Sequence, residues 1–118
     1  MKFMVSLITD GSMTEGATPE EMKESGARMM EFMGEIQAAG VLVHTDALAS
    51  SATARTLRRK SGKLVVTDGP FAETKEQIAG YMVLECKDLD EAVDWAERLP
   101  VRGGAIEVRP IADSPGAG

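Results

Sequence analysis

Alternation of apolar and polar residues lays out the chain from its first residues. In KFMVSLI, residues 2–8, Phe3, Val5 and Leu7 fall on one side and Met4, Ser6 and Ile8 on the other, which predicts a buried strand. The Asp-Gly-rich stretch from Asp10 to Ala17 reads as a loop. Thr18, Pro19 and Glu21 then stand as N-cap, first helical residue and capping-box partner. Met22, Gly26, Met29, Phe32, Met33 and Ile36 recur at helical spacing, and Gly40 ends that helix. We expect the methionines 22, 29, 30 and 33 to serve as helix core.

Val41–His44 reads as a second strand and Thr45–Ser51 as connection. Thr53–Lys60 and Lys63–Thr67 flank Ser61-Gly62, the pattern of a β-hairpin. Asp68-Gly69-Pro70 is turn chemistry: glycine takes φ > 0, proline fixes its own φ, and aspartate bonds nearby backbone. Phe71 is expected to anchor this loop to a core, with one helical turn around Lys75–Ile78. Gly80–Lys87 reads as a strand, and Asp88 with Glu91 as the capping box of a helix carrying Leu89, Ala92, Val93, Ala96 and Leu99. Pro100 stops it. Arg102–Gly104 reads as a turn and Ala105–Pro110 as the last strand. Residues 1–111 form one expected domain, and 112–118 a flexible tail.

The order β-α-β, hairpin, β-α-β predicts an α+β fold of the ferredoxin-like, split-βαβ kind with an inserted hairpin. Right-handed crossovers put both helices on one face of an antiparallel sheet. Period-two counting assigns Phe3, Val5, Leu7, Val41, Val43, Met82, Leu84, Cys86, Ile106 and Val108 to that face. The opposite face receives Met4, Ser6, Ile8, Leu42, His44, Tyr81, Val83, Glu85, Glu107 and Arg109. That face is too apolar for open water and too polar for a simple core. A second copy across a two-fold axis, enclosing a cavity, resolves both, so we expect a homodimer.

Composition narrows the partners. The 118 residues carry 13 Lys and Arg against 19 Asp and Glu, a net charge of −6, which argues against nucleic acid and anionic membrane. The basic cluster Arg55, Arg58, Arg59, Lys60 and Lys63 reads as a solvated hairpin edge. One cysteine, Cys86, excludes an intrachain disulfide and fits a reducing cytoplasm. A single cysteine and a single histidine do not make a zinc cluster, and no Gly-rich phosphate loop is present, so neither metal nor cofactor is expected. The opening apolar run is too short for a signal peptide, and nothing reaches transmembrane length.

VTDGPFAETKEQIAGYMVLE, followed by DLDEAVDWAERLP and IEVRPI, resembles the YCII-related proteins of the DGPF subgroup, over nearly the whole chain. The resemblance implies a dimeric α+β barrel. It also implies a gene that neighbours a sigma factor of the extracytoplasmic-function type, as often in this family, and a superfamily that includes small-molecule enzymes. Relatives with better-argued catalysis use a His–Asp pair; the one histidine here, His44, has no aspartate partner identified by the resemblance.

Two functions follow as expectations. In the first, a small molecule binds between the two sheets of the dimer. Any catalysis there is acid–base chemistry by His44 or Asp68, with Tyr81, Glu107, Arg109, Glu73 and Lys75 as ligand-binding groups. Each has a plainer role: Asp68 as a turn residue, Glu107 and Arg109 as a pair fixing the wall, Glu73 and Lys75 as loop ion pairs. In the second, the protein is a non-enzymatic accessory dimer whose acidic surface meets a protein of a sigma-factor pathway.

Overall fold

The computed structural model describes residues 1–10, 16–72, 74–101 and 103–113. Most of the expected loop from Asp10 to Ala17, together with Glu73, Arg102 and the end of the tail, lies outside them. In chain order the elements are β1 (Lys2–Thr9), α1 (Pro19–Ala38), β2 (Leu42–Ala47), β3 (Arg55–Lys60), β4 (Lys63–Asp68), β5 (Gln77–Glu85), α2 (Leu89–Glu97) and β6 (Ala105–Pro110). A short 3-10 turn spans Ser51–Thr53. Four strands form an antiparallel sheet in the order β2-β5-β1-β6, and β3-β4 form a separate two-stranded sheet. This is the expected split-βαβ pattern with its inserted hairpin.

Local chemistry sets the helix ends. The Thr18 hydroxyl accepts from the Glu21 amide at 3.1 Å, and the Glu21 carboxylate accepts from the Thr18 amide at 3.4 Å. Beyond the C-cap Ala39, Gly40 takes φ +72°, the left-handed position that ends helices. Asp88 caps α2 by accepting from the Glu91 amide at 2.9 Å. The Glu91 carboxylate accepts from the Lys87 amide rather than that of Asp88, so the expected capping box closes one residue early.

The core lies between one sheet face and both helices. Phe3, Val5, Met82 and Leu84 of the sheet are buried against Phe32 and Ile36 of α1 and Ala92 and Ala96 of α2. Phe32 and Trp95 meet edge to face, centroids 6.3 Å apart. Arg98 stacks over Trp95 and pairs with Glu35 of α1. Cys86 is buried in the same core, and burial, then a hydrogen bond to Glu91, push its thiol up to about 11. It is a packed small hydrophobe rather than a thiolate at neutral pH.

Four expectations are corrected. A bulge in β2 pairs Leu42 with Leu84 and His44 with Val83, so Leu42 turns to the core and Val43, half exposed, leaves it. No helical turn forms at Lys75–Ile78. Gln77 donates to the carbonyls of Ala72 and Thr74 and then joins β5, so side-chain bonds hold the loop. Phe71 is 73% exposed and lies under Arg58, because the hairpin rather than the core is its neighbour. Of the methionines, 29 and 33 reach the core; Met22 and Met30 are exposed, and Met30 falls nearly opposite buried Phe32 on the helix.

The molecule measures 49 × 44 × 18 Å with a radius of gyration of 16.8 Å, against about 13.5 Å for a compact domain of this length. It is a plate: one helical layer, one sheet layer, and a two-stranded arm within the plate's thickness. Among the described residues no helix is long and apolar enough to cross a membrane.

Candidate functional site

The uncovered sheet face presents its side chains in rows set by strand register. One row reads Asp46, Tyr81, Ser6, Glu107 across β2, β5, β1 and β6. The next reads His44, Val83, Met4, Arg109. The middle of each row is apolar or small, and charge collects on the outer strands. Ile8 and Ile78, paired beyond a bulge, continue the apolar centre towards one end.

On β2 the two-residue period puts His44 and Asp46 on the same side. Nε2 of His44 lies 2.7 Å from Oδ2 of Asp46. The Tyr81 hydroxyl donates to the same oxygen at 3.4 Å, and the His44 and Tyr81 rings tilt together with centroids 5.8 Å apart. A carboxylate only accepts, so in the neutral ring the proton sits on Nε2 and Nδ1 keeps its lone pair. The arrangement can take a proton at Nδ1 while Asp46 stabilises the charge that forms, and Tyr81 can donate a hydrogen bond beside it.

Burial first, then the charge of Asp46 and its hydrogen bond, hold the Tyr81 phenol above its ordinary range. As the only tyrosine in the chain, its ionisation can be followed directly by ultraviolet absorbance. The phenolate should form at higher pH than in a free tyrosine. Asp46→Asn should lower that midpoint part of the way, leaving the contribution of burial. A variant titration that overlays the wild type would remove Asp46 as its partner.

The other expected site residues lie elsewhere. Arg109 donates to Glu107 at 2.7 Å, but β6 is three strands from β2, roughly 14 Å at the usual spacing. Asp68 ends β4, with its side chain 89% exposed and facing Arg55 at 3.5 Å; it is not brought to His44. Lys75 is exposed in the loop before β5, and Glu73 is outside the described residues. Asp46 was missed because Thr45–Ser51 carries no apolar alternation and reads as connection. The two-residue spacing of His44 and Asp46 would have shown it once the strand was extended.

Two cavities flank this part of β2. A groove of about 430 Å³ on the helix side is lined by Leu7, Met29, Met33, Thr45, Met82 and Leu99 among others. A cleft of about 600 Å³ at the root of the arm has Leu48, Leu57, Phe71 and Ile78 in its walls. Among the described residues, no group of three or more His, Cys, Asp or Glu could hold a metal ion.

Fold and face together define an α+β protein of split-βαβ topology with a His–Asp–Tyr cluster on an uncovered sheet. The chain belongs to the YCII-related domain family, whose match covers residues 1–114. It is also similar to uncharacterized protein R00369 of Rhizobium meliloti (strain 1021), with 40% identity over 105 residues, 83% of this chain and 85% of the relative.

Proposed function

We propose that this protein, of the DGPF subgroup by its Asp68–Phe71 motif, is a homodimer closed over its uncovered sheet. The two faces enclose a cavity in which His44 and Asp46 perform acid–base chemistry on a small molecule. The observation that carries this reading is the 2.7 Å His44–Asp46 contact on a face whose centre is apolar. As an exposed pair, with side chains 57% and 60% accessible, it contributes only about 0–1 kcal/mol to stability. A second sheet laid over it removes water and strengthens every electrostatic contact inside. Tyr81 supplies a hydrogen-bond donor to substrate, and Glu107 and Arg109 stand on the far wall.

A thermal-shift screen of small metabolites on wild type, His44→Gln and Asp46→Asn tests this. A ligand stabilises only the state it binds. At least one compound is expected to raise the wild-type Tm by several degrees and to do so much less in either variant. If no compound shifts the wild type, or all three shift alike, the cluster is not the site. The accessory reading, an acidic surface offered to a sigma-factor pathway protein, then takes its place.

A further inference from the structure

Among the described residues, no other strand or helix packs extensively against the β3–β4 arm. Of its twelve strand residues only Thr56 is less than exposed. Leu57, Leu64 and Val66 are 57%, 51% and 53% exposed. Leu57 pairs with Val66 and Arg59 with Leu64, so one face of the arm carries these three apolar residues between Arg55 and Arg59, while Val65 lies on the other face beside Arg58. A two-stranded hairpin is marginal in water without an apolar surface to rest on, and four turn and loop bonds do not replace one. Thr56 donates to the Gly69 carbonyl, Thr67 to the Thr56 carbonyl, Arg58 to the Phe71 carbonyl, and the Gly69 amide to the Ala54 carbonyl.

Charge points to what covers it. Residues 55–68 hold five of the chain's thirteen cations and one of its nineteen acids. The rest of the chain therefore carries eight cations against eighteen acids. A strongly basic arm and a strongly acidic body belong to one sequence, yet the arm lies off its own body. Area points the same way. Four strands about 4.8 Å apart and about six residues long give a sheet face of roughly 400 Å² in projection. A standard interface needs about 800 Å² per partner. The cleft at the arm's root is walled by Ile78 of the sheet face and Leu57 of the arm, so the two apolar surfaces adjoin.

We infer that the β3–β4 arm is an intersubunit grip: it lays Leu57, Leu64 and Val66 on the acidic body of a second copy of this chain, with its cations meeting that body's carboxylates. This rests on the homodimer proposed above and adds where the arm goes. Opposite charges on arm and body steer the two copies into register, and salt screens that steering.

The test mixes full-length protein grown with natural nitrogen and with ¹⁵N, lets subunits exchange, and joins amines to carboxylates with a carbodiimide. Cross-linked peptides joining Lys60 or Lys63 to body carboxylates are expected as mixed-isotope pairs. In parallel, Leu64→Asp with Val66→Asp should raise the dimer dissociation constant at least tenfold in sedimentation, with Trp95 fluorescence unchanged. Dimers whose arm cross-links are all same-isotope, or absent, would overturn the grip and leave the homodimer standing. Wild-type protein that sediments as a monomer would remove both. Heparin fragments that protect the arm lysines without altering the dimer constant would overturn the grip in favour of a polyanion.

Discussion

In the homodimer proposed above, Val83→Asp is expected to separate the two copies while leaving each one folded. Val83 sits mid-row on the uncovered face, between His44 and Met4, and it is only partly buried. In an isolated chain a carboxylate there meets water and changes stability little. Under a second sheet it becomes a buried charge without a partner, and the two-fold axis introduces two of them. An unpaired buried charge costs about 3–5 kcal/mol, so with two of them the dissociation constant should rise by at least about a thousandfold. Sedimentation across a concentration series reads the assembly, and circular dichroism reads the fold. If Val83→Asp sediments as wild type does, the face is not where the copies meet.

Among the described glycines, Gly104→Ala is expected to be the most destabilising substitution. Gly104 has φ +75°, and a Cβ built there lies 2.1 Å from the Ile8 carbonyl oxygen and 3.1 Å from its carbon. Those atoms are backbone of β1, where Ile8 pairs with Ala105 at the start of β6. No rotamer change relieves the overlap, so the two strands must part. The left-handed conformation alone costs an alanine about 1 kcal/mol. Loss of close β1–β6 packing brings the expected total to about 3 kcal/mol or more, a large share of a typical 5–15 kcal/mol. Urea unfolding measures it. Gly26→Ala in α1 is the control: a Cβ there meets nothing within 4 Å, and alanine should stabilise the helix by about 0.5–1 kcal/mol. Equal effects of the two would show that crowding at Ile8 is not what demands glycine at 104.

Where side-chain period and end chemistry agree, sequence was enough. Phe3 and Val5 alternate with Met4 and Ser6, Thr18 and Glu21 cap α1, and Ser61-Gly62 turns the hairpin with φ of +49° and +79°. Each depends on residues within a few positions of one another, so local rules suffice. From them follow the element order, the split-βαβ topology, and a sheet with one face left uncovered.

What local rules could not give was register and neighbourhood. The bulge between Leu42 and His44 exchanges the faces of Leu42 and Val43, and it arises from pairing with β5, forty residues away. Extending β2 through Thr45 and Asp46 also depends on β5: the Thr45 hydroxyl donates to the Tyr81 carbonyl at 2.9 Å, and Asp46 pairs with Tyr81. That pairing turns a stretch resembling a connection into the strand that brings His44, Asp46 and Tyr81 together. Phe71 met Arg58 instead of a core for the same reason: the arm's position is a tertiary fact. By itself, then, the sequence determined the order of strands and helices and the ends that local caps and turns set, because propensity, period and caps act over one turn or one hairpin. Only the folded sheet decided which carboxylate stands beside the histidine and what the arm leaves exposed, because hydrogen-bond ladders between distant strands set those distances.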